Sequence, residues 1–303
     1  MSVNMKTTVA GVEFKNPIIA ASGTFGFGRE YNNFYNVGLL GGISSKGLTL
    51  KPREGNPPIR IAETPSGMIN SVGLQNPGVE AFIENELPFM KSLGTVVIAN
   101  AAGATESDYV SIVDILSKTD VDMIELNISC PNVKNGGMAF GVDPESVEHI
   151  TKAVRKACKK PLIIKLTPNV SSISENALAA ERGGADAVSL INTVAAMAVD
   201  YKTRKPVLGV GGGGLSGACV KPIALRMVHE CYKKVHIPII GLGGIMTGED
   251  AAEFMLCGAA AVQVGTANIL DPFASIKILN ELTSLAESDK ITNITELVGG
   301  LKA

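Results

Sequence analysis

The residues best able to do chemistry stand at the ends of short apolar runs. Lys165 sits within the apolar run Leu162–Leu166. A lysine directed into a protein interior needs a negative or hydrogen-bonding partner. It can form a Schiff base with a carbonyl substrate, stabilise negative charge on a cofactor ring, or serve a structural ion pair. Lys46 follows Ser44-Ser45 and has the same three options. Cys130 precedes Pro131 and is surrounded by Asn127, Ser129 and Asn132, a hydrogen-bonding setting unlike that of a cysteine acting as a small buried hydrophobe. Gly243-Gly244 and Gly265-Thr266 each follow an apolar run, where bare backbone N–H groups can cradle a phosphate. Their plainer role is to permit tight turns. Gly209–Gly217 matches G-x-G-x-x-G twice, but the polar stretch Asp200–Lys205 precedes it, not a buried strand. It reads as a flexible loop whose backbone approaches a ligand, not as a dinucleotide fingerprint.

Eight apolar runs position these groups: Ile18–Ala20, Gly42–Ser45, Val96–Ala99, Met123–Asn127, Leu162–Leu166, Ala187–Ile191, Ile239–Leu242 and Ala261–Val264. Each is continuous, not alternating, as in parallel strands buried on both faces. Amphipathic stretches fall between them. Pro144–Cys158 puts Val147, Ile150, Val154 and Ala157 on one face, with Pro144 in the first turn. Ser172 with Glu175 has the capping-box pattern, Thr247 with Asp250 opens another helix and Gly258 closes it. Val79–Leu93, Ser107–Lys118 and Pro272–Leu285 are also helical in pattern. Eight strands alternating with helices predict an α/β fold, a single (β/α)8 TIM barrel over residues 1–303 with long loops inserted at its C-terminal face. Segments 50–78 and 192–220 are those loops, and Thr7–Phe14 is a candidate hairpin at the barrel bottom.

Composition narrows the classes of function. The chain has 303 residues, 46% hydrophobic and 18% charged, with 33 Gly and 15 Pro. That excludes a disordered chain, and the length allows a full core. With 27 Lys+Arg against 29 Asp+Glu, the net charge of −2 gives no electrostatic case for a nucleic-acid or membrane-surface partner. The N-terminal residues lack an apolar leader pattern. The five cysteines, Cys130, Cys158, Cys219, Cys231 and Cys257, form no C-x-x-C, which argues against a disulfide framework or a metal cluster in this chain and for a cytoplasmic setting. His149, His229 and His236 have no metal-ligand spacing.

Taken together, the motifs resemble class 1 dihydroorotate dehydrogenases over essentially the whole chain. The resemblance is carried by NPIIAASGTFGFG (16–28), the stretch from Ser44 to Gly78, ELNISCPNVKNGG (125–137), IIKLTPN (163–169), INT (191–193), GGLSG (213–217), IPIIGLGGI (237–245) and VQVGTA (262–267). It implies an FMN-containing barrel that oxidises dihydroorotate to orotate in pyrimidine biosynthesis. By motif, it places FMN against Ser22, Lys46, Gly47, Asn100, Asn127, Lys165, Ile191, Gly217, Gly243, Gly244, Gly265 and Thr266. It places orotate against Lys46, Asn70, Ser71, Val72, Gly73, Leu74, Asn127, Asn132, Asn192 and Thr193, with Cys130 as the catalytic base and Lys165 offsetting charge on the flavin. The residue types suit that chemistry, since amide side chains both donate to and accept from the edges of a flat acidic pyrimidine.

The opening TFGFG and the GGLSG loop look most like the class 1B catalytic subunit. In that form electrons pass to NAD through a partner subunit carrying FAD and a 2Fe–2S cluster, in a heterotetramer of two chains of each kind. The alternatives are a fumarate-dependent class 1A homodimer and another FMN barrel acting on a dihydropyrimidine. A Schiff-base lyase would need Lys165 but no flavin, and a barrel that only binds a phosphorylated ligand would not need Cys130. One departure from the family pattern stands at Gly212 and Ala218, where Thr and Pro are usual; it loosens the local backbone constraint.

Overall fold

The computed structural model describes residues 3–129 and 140–302. Eight parallel strands close into a barrel in chain order: β1 (Ile18–Ala20), β2 (Gly42–Ser44), β3 (Val96–Ala101), β4 (Met123–Asn127), β5 (Leu162–Lys165), β6 (Ala187–Leu190), β7 (Ile239–Leu242) and β8 (Ala259–Val264). β8 closes on β1 through Val262↔Ile18, Gln263↔Ile19 and Val264↔Ala20. All eight runs expected from the sequence are strands. The largest boundary differences are at β3, which runs on through Asn100, and at β8, which begins at Ala259.

The outward faces of the strands pack against the surrounding helices in one large apolar core. The helix Pro144–Ala157 starts at Asp143, whose side chain accepts from Ser146 N–H, and buries Val147, Ile150 and Val154. The helix Gly248–Leu256 has the full reciprocal capping box between Thr247 and Asp250. At Ile173–Arg182 only half of the expected box forms: Ser172 caps Glu175 N–H, while the Glu175 carboxylate pairs with Lys234 instead.

The expected N-terminal hairpin is present, Thr7–Val9 against Val12–Phe14. Val9 and Phe14 insert into the bottom of the barrel and meet Ile98, Met123, Ile163, Ala187 and Ala261. Side chains two residues apart on a strand share a face. One layer above this floor therefore stand Asn100, Glu125, Lys165, Ser189 and Gln263, each two residues beyond a floor residue on its own strand. All five are buried. The interior is thus apolar below and polar above, and the polar layer leads to the C-terminal mouth.

The two long segments fold onto each other over that mouth. They form an antiparallel sheet in the order Val194–Ala196, Gly213–Ser216, Gly67–Asn70, Ile61–Thr64. This corrects the reading of Gly209–Gly217 as a flexible loop: Gly213–Ser216 is an inner strand, paired on both sides. Glycine is required there by close approach, since a Cβ on Gly214 would lie 2.0 Å from Thr193 Oγ1.

Candidate active site

The described residues among the site candidates stand at the strand ends around the mouth or in the sheet over it. Lys165, at the end of β5, is 4% exposed. Its Nζ lies 3.2 Å from Ser22 Oγ, just past β1, and 3.5 Å from both Gln263 Oε1 and Glu125 Oε2. Lys46, past β2, reaches toward the same loop, with Nζ 3.5 Å from Gly23 O. Among the described residues Lys46 makes no ion pair, and burial pushes its ammonium below the usual lysine range. The two cations therefore flank the one loop after β1, at consecutive residues.

Asn100 is fully buried and donates through Nδ2 to Glu125 Oε2 at 2.6 Å. Its other side-chain atom, Oδ1, is buried with no partner among the described residues. Gly47 lies beside it: a Cβ there would stand 3.1 Å from Asn100 Oδ1 and 3.2 Å from Leu74 Cδ2. An unpartnered buried acceptor costs about 1–3 kcal/mol, a cost that a ligand N–H placed against it removes.

A polar cluster forms the next side of the mouth. Asn127 Oδ1 accepts from Ser129 Oγ at 2.5 Å and from Asn192 Nδ2 at 3.4 Å. Asn192 Nδ2 also donates to Ser129 Oγ, and Asn192 Oδ1 accepts from Thr193 N–H at 2.7 Å. Asn70 ends its strand opposite Gly214 and donates to the Gly214 carbonyl at 3.3 Å, which brings it beside Thr193. Ser71 follows, its backbone fixed by Arg60 O and Asn56 Nδ2, while its Oγ is buried without a partner among the described residues. Val72, Gly73 and Leu74 continue this turn, held by Asn56 N–H on Val72 O and by Asn76 Nδ2 on Leu74 O.

The glycines after β7 and β8 lie on the far side. Gly244 has φ +84, and a Cβ there would stand 2.7 Å from Lys221 N and 2.9 Å from Gly217 O. Gly243 packs against Ile191, which donates its N–H to Leu242 O at 2.8 Å. Thr266 Oγ1 donates to Ser216 Oγ at 2.8 Å and ties β8 to the mouth sheet. Gly265 is not crowded: a Cβ there would make only ordinary contacts, with Ala21 Cβ at 3.7 Å and Thr24 Oγ1 at 3.9 Å. Cys130 and Asn132 lie outside the described residues.

Four participants have no role assigned from the sequence: Ser44 and Glu125, which stand there only as polar strand-end residues, and Ser189 and Gln263. The signal that could have found them is the period of two, since each stands two residues beyond an apolar or glycine position on a buried strand. Asn76 was missed as well. Its amide holds Thr49 N–H, Gly78 N–H and Leu74 O, and so fixes the turn that carries Ser71 to Leu74. Among the described residues no cluster of His, Cys, Asp or Glu is arranged to hold a metal ion, and no helix is long and apolar enough to cross a membrane.

A (β/α)8 barrel with one buried and one partly buried cation, an orphan acceptor and glycine turns after its last two strands is a barrel enzyme with its site at the C-terminal mouth. The family model for dihydroorotate dehydrogenase matches residues 4–285, and the chain belongs to that family. A protein of Caldicellulosiruptor saccharolyticus is 54% identical over 299 residues, covering 99% of each chain; it is named dihydroorotate dehydrogenase B (NAD(+)), catalytic subunit. Proteins of Alkaliphilus metalliredigens, 54% identical over 299 residues, and of Bacteroides thetaiotaomicron, 51% identical over 300 residues, carry the same name and are likewise covered to 99% on both sides.

Proposed function

We propose that this chain is the FMN-binding catalytic subunit of an NAD-linked dihydroorotate dehydrogenase, acting in the cytoplasm in pyrimidine biosynthesis. A buried Lys165 and a partly buried Lys46, which flank the loop after β1 near the unpartnered Asn100 Oδ1, carry this reading within a family whose name states the reaction. The residues fit FMN. Asn100 Oδ1 offers an acceptor to a ring N–H, Lys165 offers positive charge, and the backbone N–H groups of the turns at Gly243-Gly244 and Gly265-Thr266 would hold the phosphate. Ser22, Gly47, Asn127, Ile191 and Gly217 complete the pocket. When bound, FMN supplies the hydride acceptor.

The remaining work belongs to the chain. Lys46 meets the orotate carboxylate. Asn70, Asn127, Asn132, Asn192 and Thr193 hold the ring edges, and the Ser71–Leu74 turn closes over them. Cys130 takes the proton from one ring carbon as its neighbour gives up hydride. The whole chain serves as one barrel domain. Electrons leave through a partner subunit with FAD and a 2Fe–2S cluster, in a heterotetramer of two chains of each kind.

Anaerobic mixing with dihydroorotate tests this. The purified chain should be yellow and bleach on mixing. It should reduce NAD poorly alone and efficiently with its partner. Cys130→Ala should keep the colour and still bind orotate but bleach roughly 10²–10⁴-fold more slowly. A colourless chain, or near-normal bleaching in Cys130→Ala, would refute the corresponding assignment. Efficient fumarate reduction by the chain alone would replace NAD as acceptor.

A further inference from the structure

Glu125 has no part in the function argued so far. It lies on β4 with no exposed surface, in the polar layer above the barrel floor. Burying a carboxylate costs several kcal/mol unless charge and hydrogen bonds offset it. Here both oxygens are occupied. Oε1 accepts from Ser189 Oγ and Gln263 Nε2, each at 2.8 Å. Oε2 accepts from Asn100 Nδ2 at 2.6 Å and Ser44 Oγ at 3.3 Å, with Lys165 Nζ at 3.5 Å. These groups come from β2, β3, β5, β6 and β8, so most of the barrel contributes to holding one carboxylate. Burial works to raise the Glu125 carboxyl, but Lys165 and the hydrogen bonds from Ser189, Gln263 and Asn100 outweigh it and hold it below the usual carboxylate range.

Lys165 is placed differently. It lies within ion-pair range of Glu125, yet its nearest oxygen is Ser22 Oγ, on the mouth side. The neutral donors already hold the carboxylate, so it does not draw the ammonium down into a short contact. We propose that Glu125 is a positioning residue, a fixed counter-ion that keeps Lys165 protonated and directed to the mouth before any negative charge arrives there. This rests on the reading that Lys165 faces the flavin. An ammonium alone in such an interior sheds its proton, because its charge has nothing to offset desolvation. With Glu125 beneath it, the positive charge stands ready, and no proton has to reach Lys165 as the flavin takes up electrons. The polar neighbours of the pair are Ser22, Ser44, Asn100, Ser189 and Gln263, none of them ionising, and Lys165 is the one charged group acting on Glu125 among the described residues.

The test counts protons taken up as bound flavin is reduced electrochemically in the holoenzyme. At about pH 9 the parent should take up one proton for each electron pair, the one that goes to the flavin itself. Glu125→Gln keeps the shape and removes the charge. Lys165 should then begin neutral, and the count should rise to two. Adding Lys165→Met to Glu125→Gln should return it to one. A count of one in Glu125→Gln, or a count of two that persists in the double variant, overturns the proposal. Lys165→Met alone separates the underlying reading: unchanged flavin potential and affinity in that variant would mean that Lys165 does not face the flavin. Should Glu125→Gln fail to fold, the double variant, which buries no unpaired charge, should fold. Failure of the double variant where Lys165→Met folds would make Glu125 purely structural and overturn the proposal.

Discussion

At the scale of single residues, the two lysines make opposite bargains with burial. Lys165 has a carboxylate beneath it, whereas among the described residues Lys46 has only the Gly23 carbonyl at 3.5 Å. Burial therefore lowers Lys46 below the lysine range, and an anionic ligand favours its charged form. Orotate affinity should fall as pH rises, beginning below the ordinary lysine value of about 10.4, and a titration of the flavin spectrum with orotate would show it. Lys46→Met should bind orotate weakly with little pH dependence; an unaltered alkaline loss in that variant would assign the ionisation elsewhere. Lys165→Ala should slow flavin reduction by about 10²-fold, as loss of a preorganised electrostatic group does. Borohydride should trap no substrate adduct on Lys165. An adduct would revive the Schiff-base reading.

At the scale of elements, the barrel was legible because its strands are buried on both faces and so read as continuous apolar runs between helices. The sheet over the mouth was not. Gly213-Gly214-Leu215-Ser216 lacks the β-branched residues that mark a strand, and its strand form comes from Gly67–Asn70 and Val194–Ala196 on either side. Lys165 was legible as an inward lysine, but its partner Glu125 became visible only with the ladder in which Asn127 faces Lys165 and Ser189 faces Lys165 from the other side. The glycine turns divide by what surrounds them. Gly244→Ala should fail by unfolding the turn, given its φ of +84 and the 2.7 Å approach of Lys221 N. Gly265→Ala has room within the protein, so it should keep the parent's urea midpoint while losing about tenfold or more in FMN affinity, about 1.4 kcal/mol. Full flavin affinity in Gly265→Ala would move the phosphate away from β8.

For the whole molecule, acid should be the most damaging pH excursion. Glu125 and Asp250 both have carboxyls held below their ordinary range, Glu125 against burial by Lys165 and its donors, Asp250 against burial by Lys221 and backbone N–H groups. A depressed folded value gives stability that is complete above the unfolded value of about 4 and is lost as pH falls through the folded one. Urea midpoints should thus hold down to about pH 5 and fall below about pH 4, with a shallower fall in the Glu125→Gln/Lys165→Met variant. An equal fall in that variant would locate the acid sensitivity outside the barrel interior. The seam between β8 and β1 has another consequence. Val262 to Val264 pair with Ile18 to Ala20, Thr7 Oγ1 bonds Ala260 O, and Asn4 exchanges backbone bonds with Thr292 and Ile294. On the ribosome, the first strand made must wait for the last before its open edge is covered. Until β8 has emerged, the nascent barrel is an unclosed sheet with two bare edges, prone to pairing with its neighbours. Synthesis of this barrel should therefore draw on chaperones until its eighth strand is made.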